Sequence, residues 1–541
     1  MSPSARCLLI HPIGGMFSIS RCCEAPVSLV RSIPRLATVG LVATAACAYD
    51  ARMPSQPTEP AAAARGPQFA SVATRGGTAA SHRHIVSFKG SVPADFAAQV
   101  AALGGKVLWV SPGSGLAAVR GLQGSAAAKL AGKQGIQAVE ADALLALDVP
   151  RLAMDATAEG GGVASNAAPA AAVRYSRQWN MRAVQADVAW SHGFLGSDAV
   201  SIFMLDSGID YLHADLLGRV DLTRSVDLLD TLYVPVVNAN GDTVIVRFVE
   251  ADTVRHYFPD RLPFTDLFFH GTHTAATVSS NAARTAGVTS RTKLVAVKVC
   301  AYINDCPFSS ILNGVIYAAD NGADVINLSV GGAFTKAGNG RFVGLINKVF
   351  NYARSKGVTT VVSAGNEGID LDHNGNTYQT FCDTPAVICV AATGPTTDAT
   401  GLTIASGPWT DVDAPAFYTN FGRSAIDVAA PGGNGSFGPD LSPPASRDVF
   451  VWAACSQTSL YLHEVFGFFC NPINIVGARG TSMSAPHVAG TAALLVSILG
   501  RNPSQIKARI QQTADNVAGN GTTPFYGKGR LNVARAIGAI P

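Results

Sequence analysis

The chain lacks an excess of charge of either sign. Its 541 residues include 40 lysines and arginines against 37 aspartates and glutamates, and charged residues make up only 14%. This balance excludes a strongly basic nucleic-acid-binding protein and a strongly acidic tail protein, because both depend on a large field of one sign. The sequence also has no uninterrupted apolar run of about 18 or more residues, which excludes a polytopic membrane protein. It has no fixed repeat period that would indicate a solenoid.

Hydrophobic residues are abundant, at 48% of the chain. A chain of this composition can bury large cores and differs from a disordered protein. At roughly 100–200 residues per domain, the length predicts two to four domains.

Residues 1–48 are predicted to be a targeting segment. The apolar run at 36–48 follows two arginines, ends in small residues and is too short to cross a bilayer comfortably. These features are typical of a secretory signal. The run ends in Thr-Ala-Ala-Cys, which resembles a bacterial lipoprotein signal, so lipidation of Cys47 is the alternative to a plain signal. Residues 49–83 are rich in small and polar residues and predict a flexible linker.

Residues 84–147 are predicted to form a small domain. An alternating strand at 84–89 precedes a helix that carries Phe96, Val100 and Leu103 at helical spacing. A hairpin, a short Ala-rich helix and a last strand follow, which gives the order β-α-β-β-α-β of a ferredoxin-like split sandwich. Residues 148–174 have no periodicity and predict a linker where proteolysis can separate the two domains.

The remaining residues, 175–541, alternate apolar strands with amphipathic helices. The predicted strands are buried on both faces and lie at 199–205, 294–299, 324–330, 358–364 and 387–392. Helix patterns cover 309–322 and 341–357. Such alternation favours a parallel α/β sheet, in which ligands bind outside the carboxyl ends of the strands.

Four polar residues stand where such a site is expected. Asp206 and Asn366 each follow a predicted strand, His270 lies in His-Gly-Thr-His, and Ser482 lies at the start of a helix that runs to about Leu499. A serine hydroxyl becomes a nucleophile when an imidazole takes its proton, and a carboxylate orients that imidazole. Backbone N–H groups at a helix start and a side-chain amide suit a developing oxyanion.

Five segments carry a family resemblance. They read MLDSGID, HGTHTA, VINLSVGG, SAGNEG and GTSMSAPHVAG in chain order. Together they resemble the subtilisin-like serine peptidases, with the chain order Asp, His, Ser that separates this family from the α/β-hydrolases and the chymotrypsin-like enzymes. The resemblance covers essentially all of 175–541. It implies a secreted serine endopeptidase with the subtilisin-like parallel sheet and flanking helices, preceded by the small ferredoxin-like α+β domain.

The resemblance implies a role for each matching residue. Asp206 orients the base, His270 is the general base and acid, Ser482 is the nucleophile and Asn366 donates to the oxyanion. Two further segments would bind the substrate, one as a strand edge and one as the wall of the primary specificity pocket: Ser329, Val330 and Gly331, and Ser363, Ala364 and Gly365.

The resemblance also predicts partners and maturation. The domain at 84–147 resembles the family's inhibitory propeptide of the inhibitor-I9 type, so the precursor is expected to process itself. The expected partners are protein or peptide substrates in extended conformation and this propeptide, with no nucleic acid and with a monomeric enzyme. No cofactor is expected for catalysis, although many relatives hold structural calcium and Asp215 matches one ligand position.

Departures from the family pattern are few. Ala276 stands where the family usually has glycine, and the segments at about 219–264 and 433–478 are longer than a minimal family core. We expect both segments to be surface loops that shape the substrate groove.

Ten cysteines divide into four before the mature region and six in the large domain. An even number in an exported chain indicates disulfides, and the spacing favours local loops over the other pairings. The favoured pairs are Cys300–Cys306, Cys382–Cys389 and Cys455–Cys470, with buried free thiols as the alternative.

Several residues near the motifs have plainer interpretations. His273 and His487 are expected to be packed or hydrogen-bonded histidines rather than catalytic ones. His270 and His273 lack further ligands at zinc spacing. Glu367 either biases the specificity pocket toward basic side chains or is a solvated charge at its rim.

Two other functions stay open from the sequence alone. The large domain could be a scaffold that grips extended peptides without cutting them, and the domain at 84–147 could act separately as an inhibitor or chaperone.

Overall fold

The computed structural model describes most of the chain. The described residues are 10–13, 16–19, 82–145, 147, 151–155, 164–237, 242–337, 339–379, 381–395, 412–434, 449–467 and 469–541. The predicted targeting segment with Cys47, and the linker, lie outside them apart from one hairpin and residues 82–83. That hairpin pairs β1 (Ile10–Ile13) with β2 (Met16–Ile19) in antiparallel register and belongs to a compact unit separate from the one that holds the remaining domains.

The small domain has the predicted β-α-β-β-α-β order. Its elements are β3 (Arg83–Phe88), α1 (Phe96–Ala101), β4 (Lys106–Ser111), β5 (Leu116–Arg120), α2 (Ala126–Ala131) and β6 (Ile136–Ala141). The four strands form one antiparallel sheet in the order β4-β5-β3-β6. Successive side chains of a strand point to opposite faces. Accordingly Val86 and Phe88 pack with Phe96 and Val100 of α1, whereas Ile85 joins the core of the large domain.

The large domain and the segment before it contain the remaining elements. The first of them are β7 (Leu144–Leu145), β8 (Arg151–Asp155), α3 (Trp179–Ala183), α4 (Ala186–Ser191), β9 (Ser201–Asp206), β10 (Val226–Asp227), β11 (Leu232–Val237), β12 (Thr243–Phe248), α5 (Glu250–Tyr257), α6 (His270–Val278), β13 (Lys293–Lys298), β14 (Cys306–Pro307) and α7 (Phe308–Asp320). The others are β15 (Val325–Leu328), β16 (Ala333–Thr335), α8 (Gly340–Ser355), β17 (Thr359–Ser363), β18 (Thr377–Gln379), β19 (Val387–Thr393), β20 (Val428–Pro431), β21 (Val451–Ala454), α9 (Leu460–Phe466), β22 (Ile475–Arg479), α10 (Thr481–Leu499), α11 (Pro503–Gln512) and α12 (Val533–Ala536).

A parallel sheet forms the centre of the large domain. Its seven strands lie in the order β10-β13-β9-β15-β17-β19-β20, and all neighbours are parallel. The apolar runs predicted as strands become β9, β13, β15, β17 and β19, and residues of β9 divide between two core clusters on opposite faces. The predicted α/β fold class with a parallel sheet and flanking helices is therefore confirmed.

Helix α10 lies against this sheet. It begins at Thr481 and ends at Leu499, as the sequence predicts, and it packs on β15, β17, β19 and β20 and on α6. Within the described residues it is the one helix long and apolar enough to cross a membrane. Its residues from Thr481 to Val496 are buried in the domain, which accounts for its apolar character.

The two longer segments contain regular structure rather than loops alone. The segment at 219–264 includes β10, β11, β12 and α5, and the segment at 433–478 includes β21, α9 and β22. Strands β21 and β22 are buried and pair antiparallel, with β8 on the other side of β22. The expectation of surface loops is wrong for these two strands because each apolar run, 451–454 and 475–479, packs inside the molecule.

Candidate active site

Asp206 is the last residue of β9, at the carboxyl edge of the parallel sheet. It is fully buried, and its Oδ1 lies 2.7 Å from Nδ1 of His270. The carboxylate also accepts hydrogen bonds from the Ser207 backbone N–H at 2.8 Å and from Thr274 Oγ1 at 3.2 Å. These contacts fix the carboxylate, and the carboxylate favours a proton on Nδ1, which makes Nε2 the basic atom of the ring.

His270 is the first residue of α6, and the preceding turn is held by Asp266. The Asp266 carboxylate accepts hydrogen bonds from the N–H groups of Phe268 at 2.9 Å, Phe269 at 3.0 Å and Thr272 at 2.9 Å. Phe269 has a φ of 142°, which non-glycine residues rarely adopt. Asp266 thus stabilises the unusual turn that directs His270 toward Asp206.

Asp266 is not among the site residues predicted from the sequence. Its carboxyl group is fully buried, and burial raises its pKa, opposed by the hydrogen bonds from Thr272. It also accepts a hydrogen bond from Ser207 Oγ at 2.9 Å, which ties the end of β9 to the start of α6. An aspartate four residues before a helix start was the available signal, but many loop aspartates share that position.

Ser482 is the second residue of α10. Its Oγ donates to the backbone oxygen of Ser329 at 3.0 Å, and Ser329 Oγ donates in turn to the backbone oxygen of Ser482 at 3.0 Å. Ser329 directly follows β15, so this reciprocal pair joins Ser482 to the sheet edge. His270 contacts Asp206 at the end of β9, and Ser482 contacts Ser329 just after β15. Both residues therefore lie at the same edge, since β9 and β15 are neighbouring parallel strands.

Asn366 lies three residues beyond β17, and Thr481 orients its amide. Its Oδ1 accepts hydrogen bonds from the Thr481 N–H at 2.8 Å and from Thr481 Oγ1 at 3.0 Å. Thr481 Oγ1 also accepts from the Gly365 N–H at 3.0 Å. With Oδ1 held in this way, Nδ2 is the end of the amide that can donate to an oxyanion. Thr481 is a second residue that sequence reasoning missed.

The two predicted substrate segments follow neighbouring strands. Ser329, Val330 and Gly331 come after β15, and Ser363, Ala364 and Gly365 end β17 and continue past it. A Cβ built on Gly331 would meet nothing within 4 Å, so the chain has open space there. A Cβ on Gly365 would lie 2.5 Å from Asn420 Nδ2, 2.7 Å from Gln379 Nε2 and 2.7 Å from Glu367 Oε2. Position 365 thus requires glycine for two reasons: its φ of +97° is one that other residues rarely adopt, and a side chain would collide with these neighbours.

Glu367 is bound within this cluster. Asn420 Nδ2 donates to Glu367 Oε2 at 2.5 Å and to the backbone oxygen of Ala364 at 2.9 Å. The carboxylate is half-buried and hydrogen-bonded, which disfavours the interpretation as a solvated rim charge. Gln379 is 1% exposed and its Oε1 has no hydrogen-bond partner among the residues that the structure describes, so the cluster also offers a buried acceptor.

The other two histidines are packed and hydrogen-bonded, as predicted. His273 Nε2 lies 3.0 Å from the backbone oxygen of Val451, and burial lowers its pKa to about 3. His487 Nδ1 lies 2.9 Å from the backbone oxygen of Met483, and burial lowers its pKa to about 4. Both rings are therefore neutral near pH 7 and do not compete with His270 as a base.

Among the described residues no group of three or more His, Cys, Asp or Glu could hold a metal ion. The Asp215 carboxylate accepts hydrogen bonds from the N–H groups of Arg284 at 2.6 Å and Thr285 at 3.0 Å and from Thr285 Oγ1 at 2.7 Å. The buried Asp215 carboxylate is therefore held by hydrogen bonds to its neighbours.

Ala276 and the six cysteines of the large domain are all buried. Ala276 is fully buried in a core cluster, which takes up the extra methyl group. The structure joins the six cysteines in the predicted pairs, which are Cys300–Cys306, Cys382–Cys389 and Cys455–Cys470.

Comparison with known proteins identifies one family for most of the large domain. The model of the subtilase family matches residues 197–529. Thermitase from Thermoactinomyces vulgaris is 30% identical over 366 residues, which are 67% of this chain and 96% of that protein. A thermophilic serine proteinase from Bacillus sp. (strain AK1) is 30% identical over 364 residues, which are 66% of this chain and 67% of that protein.

A solved structure shares the fold. An epidermin leader peptide processing serine protease from Staphylococcus aureus matches with a TM-score of 0.60 and 22% identity, over 84% of this chain and 98% of that one. At this identity the likeness concerns the fold alone.

Proposed function

Since the chain belongs to the subtilase family, we propose that it is a serine endopeptidase in which Asp206, His270 and Ser482 form the catalytic triad. The observation that carries the proposal is the fully buried 2.7 Å pair of Asp206 and His270 at the sheet edge where α10 presents Ser482. A carboxylate, an imidazole and a hydroxyl at one edge are the groups that acyl transfer requires.

In the proposed reaction His270 Nε2 takes the proton of Ser482 Oγ as that oxygen attacks the substrate carbonyl carbon. The hydroxyl exchanges its hydrogen bond to Ser329 for one to Nε2 when substrate enters. The resulting oxyanion accepts hydrogen bonds from Asn366 Nδ2 and from the Ser482 backbone N–H at the start of α10. Asp206 stabilises the imidazolium cation that forms.

The carbon–nitrogen bond then breaks, and the proton passes from His270 to the leaving amine. The acyl group remains as an ester on Ser482 Oγ. A water molecule next loses its proton to His270 and attacks the ester. The carboxylic acid product leaves as Ser482 regains its proton.

The substrate binds as an extended chain in this proposal. Ser329–Gly331 supplies a strand edge for the residues before the scissile bond, and Ser363–Gly365 forms a wall of the pocket for the residue at the bond. The open space at Gly331 supports the first assignment. The acceptors Glu367 and Gln379 beside Gly365 favour a substrate side chain that carries N–H donors.

The small domain acts as an intramolecular inhibitor in this proposal. The proposal is supported by polar contacts between the small and the large domain. Asp142 of the small domain accepts a hydrogen bond from the Ser309 N–H at 2.9 Å, near the start of α7. Arg83 lies 3.2 Å from Asp142 and donates to Ser309 Oγ at 3.0 Å. Strand β7 also pairs antiparallel with β14. Self-cleavage within 148–174 would free the domain.

The maturation pathway completes the proposal. The segment at 1–48 directs export, and the enzyme acts outside the cell as a monomer on protein or peptide substrates. Lipidation of Cys47 would anchor the precursor until the cut releases the peptidase.

The test compares the precursor with two variants on the same helix, Ser482→Ala and Ser484→Ala. Wild type and Ser484→Ala should shorten by the mass of the pro-region and react with a fluorophosphonate probe. Ser482→Ala should stay full length and unlabelled. Folded, exported protein that never labels would contradict the proposal and favour a peptide-binding scaffold.

A further inference from the structure

A fully buried ion pair takes no part in the reaction described above. Lys298 Nζ lies 2.6 Å from Glu250 Oε1, and the two side chains are 0% and 1% exposed. Both charges lose their hydration on burial, so such a pair persists only where its geometry is close and further hydrogen bonds support it. Buried charges of this kind cluster at functional sites, and the contacts of the two residues indicate which group they support.

Lys298 lies beside Asp206. It is the last residue of β13 and is in register with Asp206, the last residue of β9, so the two side chains leave the same face of the parallel sheet. The next two residues, Val299 and Cys300, donate their N–H groups to the backbone oxygen of Asp206 at 2.9 Å and 3.2 Å. The end of β13 is therefore tied to the residue that orients His270.

The ammonium group of Lys298 also holds the turn before His270. It donates to the backbone oxygen of Thr265 at 2.7 Å. Thr265 immediately precedes Asp266, whose carboxylate fixes the following backbone N–H groups of that turn. The turn also lies close to the segment after β9, since a Cβ built on Gly208 would be 2.9 Å from the oxygen of Thr265. Because Thr265 and Asp266 are adjacent, loss of the Lys298 contact should displace the turn and with it the imidazole.

Glu250 joins this turn to a second segment. It is the first residue of α5 and belongs to the segment at 219–264 that is longer than a minimal family core. Its Oε2 accepts a hydrogen bond from the Tyr302 N–H at 2.8 Å. Tyr302 lies in the loop that the Cys300–Cys306 disulfide closes, and the end of this loop begins β14. One carboxylate thus connects the 300–306 loop with the lysine that supports the base.

We propose that Lys298 and Glu250 are positioning residues for His270. The proposal rests on the peptidase function above. Lys298 holds the backbone of the turn that presents the base, and Glu250 neutralises Lys298 so that a charged donor can be buried there. The segment at 219–264 therefore supports the catalytic geometry through α5, which goes beyond shaping the substrate groove.

The charge of the pair gives it an effect that packing alone would not have. Titratable groups that face Lys298 or His270 come from five parts of the fold: Asp206 in β9, Asp227 in β10, Glu250 in α5, Asp266 in the turn and His273 in α6. Loss of the negative charge of Glu250 leaves the Lys298 cation unbalanced, which makes protonation of His270 less favourable. Loss of the Lys298 cation has the opposite effect. Burial raises the pKa of Asp227 to about 7, and this group is common to all variants.

The experiment replaces each charge by a neutral side chain of similar size. Glu250→Gln and Lys298→Met are the test variants. Asp252→Asn is the matched control, since Asp252 lies on the same helix with its side chain 52% exposed. Each protein processes itself, and mass spectrometry confirms a common N-terminus. The rate constant for fluorophosphonate labelling of Ser482 is then measured against pH, and kcat and KM are measured on one peptide substrate.

The two test variants should shift the labelling profile in opposite directions. Its acid limb should move to lower pH in Glu250→Gln and to higher pH in Lys298→Met, each by about half a pH unit or more. The kcat of Lys298→Met should fall about tenfold with little change in KM, because the Thr265 oxygen loses its donor and the base loses its position. Asp252→Asn should match the wild type in both measurements.

The double variant Glu250→Gln/Lys298→Met separates position from charge. It replaces the ion pair by neutral groups of similar volume, a change that buried pairs often tolerate, so it should fold even if a single variant does not. Its acid limb should return to the wild-type pH. Its kcat should remain about tenfold low, because the donor to Thr265 is still missing.

Two results would overturn the proposal. One is a wild-type kcat in the folded double variant. The other is an acid limb that moves in the same direction, or not at all, in both single variants. Circular dichroism and the melting temperature establish that each variant is folded. Failure of the wild type to label would instead contradict the peptidase function itself.

Discussion

The interior of the large domain and its boundary with the small domain are built differently. In the interior, Asp206 lies 2.7 Å from His270, Asp266 holds the turn before His270 through three backbone N–H groups, and Thr481 holds the Asn366 amide through two hydrogen bonds. Among the residues that the structure describes, the boundary has one buried ion pair, between Arg83 and Asp142. The other two ion pairs there, Arg120–Asp230 and Arg341–Glu140, are partly exposed. The difference is what we expect if, as proposed, the small domain separates at this boundary while the interior of the large domain stays rigid.

The largest expected effect is in the interior. Asp206→Asn should lower kcat by about 10⁴, because the amide no longer favours the tautomer that leaves Nε2 basic. Initial rates on a peptide substrate measure the loss. Asp198→Asn, which removes an exposed partner of Arg219, is the control and should leave kcat unchanged. Equal rates for Asp206→Asn and wild type would remove Asp206 from the mechanism.

Asn366→Ala should have the next largest effect. We expect kcat to fall by about 10²–10³ with little change in KM, the range known for this donor in subtilisin, a member of the same family. Thr481→Val removes one of the two hydrogen bonds that orient the amide and should reduce kcat by a smaller factor. A variant that raises KM alone would place Asn366 in substrate binding instead.

A substitution in the buried Arg83–Asp142 pair should change the time needed for activation and should leave the kcat of the mature enzyme unchanged. Asp142→Ala leaves the buried Arg83 guanidinium without its carboxylate, and breaking a buried pair of this kind is strongly destabilising. The small domain should leave at least about tenfold sooner after processing, which shortens the lag before activity appears. The kcat of the mature enzyme should not change. An unaltered lag would show that the boundary is held elsewhere.

Acid should act on the interior through its buried histidines. Burial lowers the pKa of His487 to about 4, below its unfolded value of about 6.5. Between these values the unfolded chain binds the proton more readily, so this contribution to stability is complete above pH 6.5 and is lost as the pH falls toward 4. His487→Gln should therefore show a smaller drop in melting temperature between pH 7 and pH 5 than wild type. A drop of equal size would argue against His487 as a source of acid sensitivity.

The smallest expected effect is at the exposed part of the boundary. Arg341 Nη1 lies 2.9 Å from Glu140 Oε1, and the Arg341 side chain is 73% exposed. Exposed pairs contribute little because water and salt screen them. Arg341→Ala should change the activation lag by less than about threefold. A lag as short as that of Asp142→Ala would mean that exposed pairs govern release.

Sequence periodicity was sufficient for the architecture. The continuous apolar runs become β9, β13, β15, β17 and β19, and the start of α10 at Thr481 is found where the motif predicts it. The rule that parallel strands present their carboxyl ends at one edge was enough to relate Asp206 to Asn366. These features depend on local patterns, which one sequence displays.

Contacts between distant segments were beyond that reasoning. Asp266 and Thr481 act through backbone groups whose positions only the folded chain determines. The pairing of β8 with β22 joins segments more than 300 residues apart in sequence, and nothing in the composition of the 148–174 linker indicates a strand. The burial of β21 and β22 was not predicted either. It depends on contacts with distant segments, whereas a segment longer than the family core is more often a surface loop.

The most direct test of the central claim is to locate the fluorophosphonate adduct by peptide mapping of the processed enzyme. The account predicts a single modified residue, Ser482, with labelling lost in His270→Ala and retained in His273→Gln if that variant folds. An adduct on another serine, or full activity in protein that carries no adduct after treatment, would contradict the assignment of Ser482 as the nucleophile.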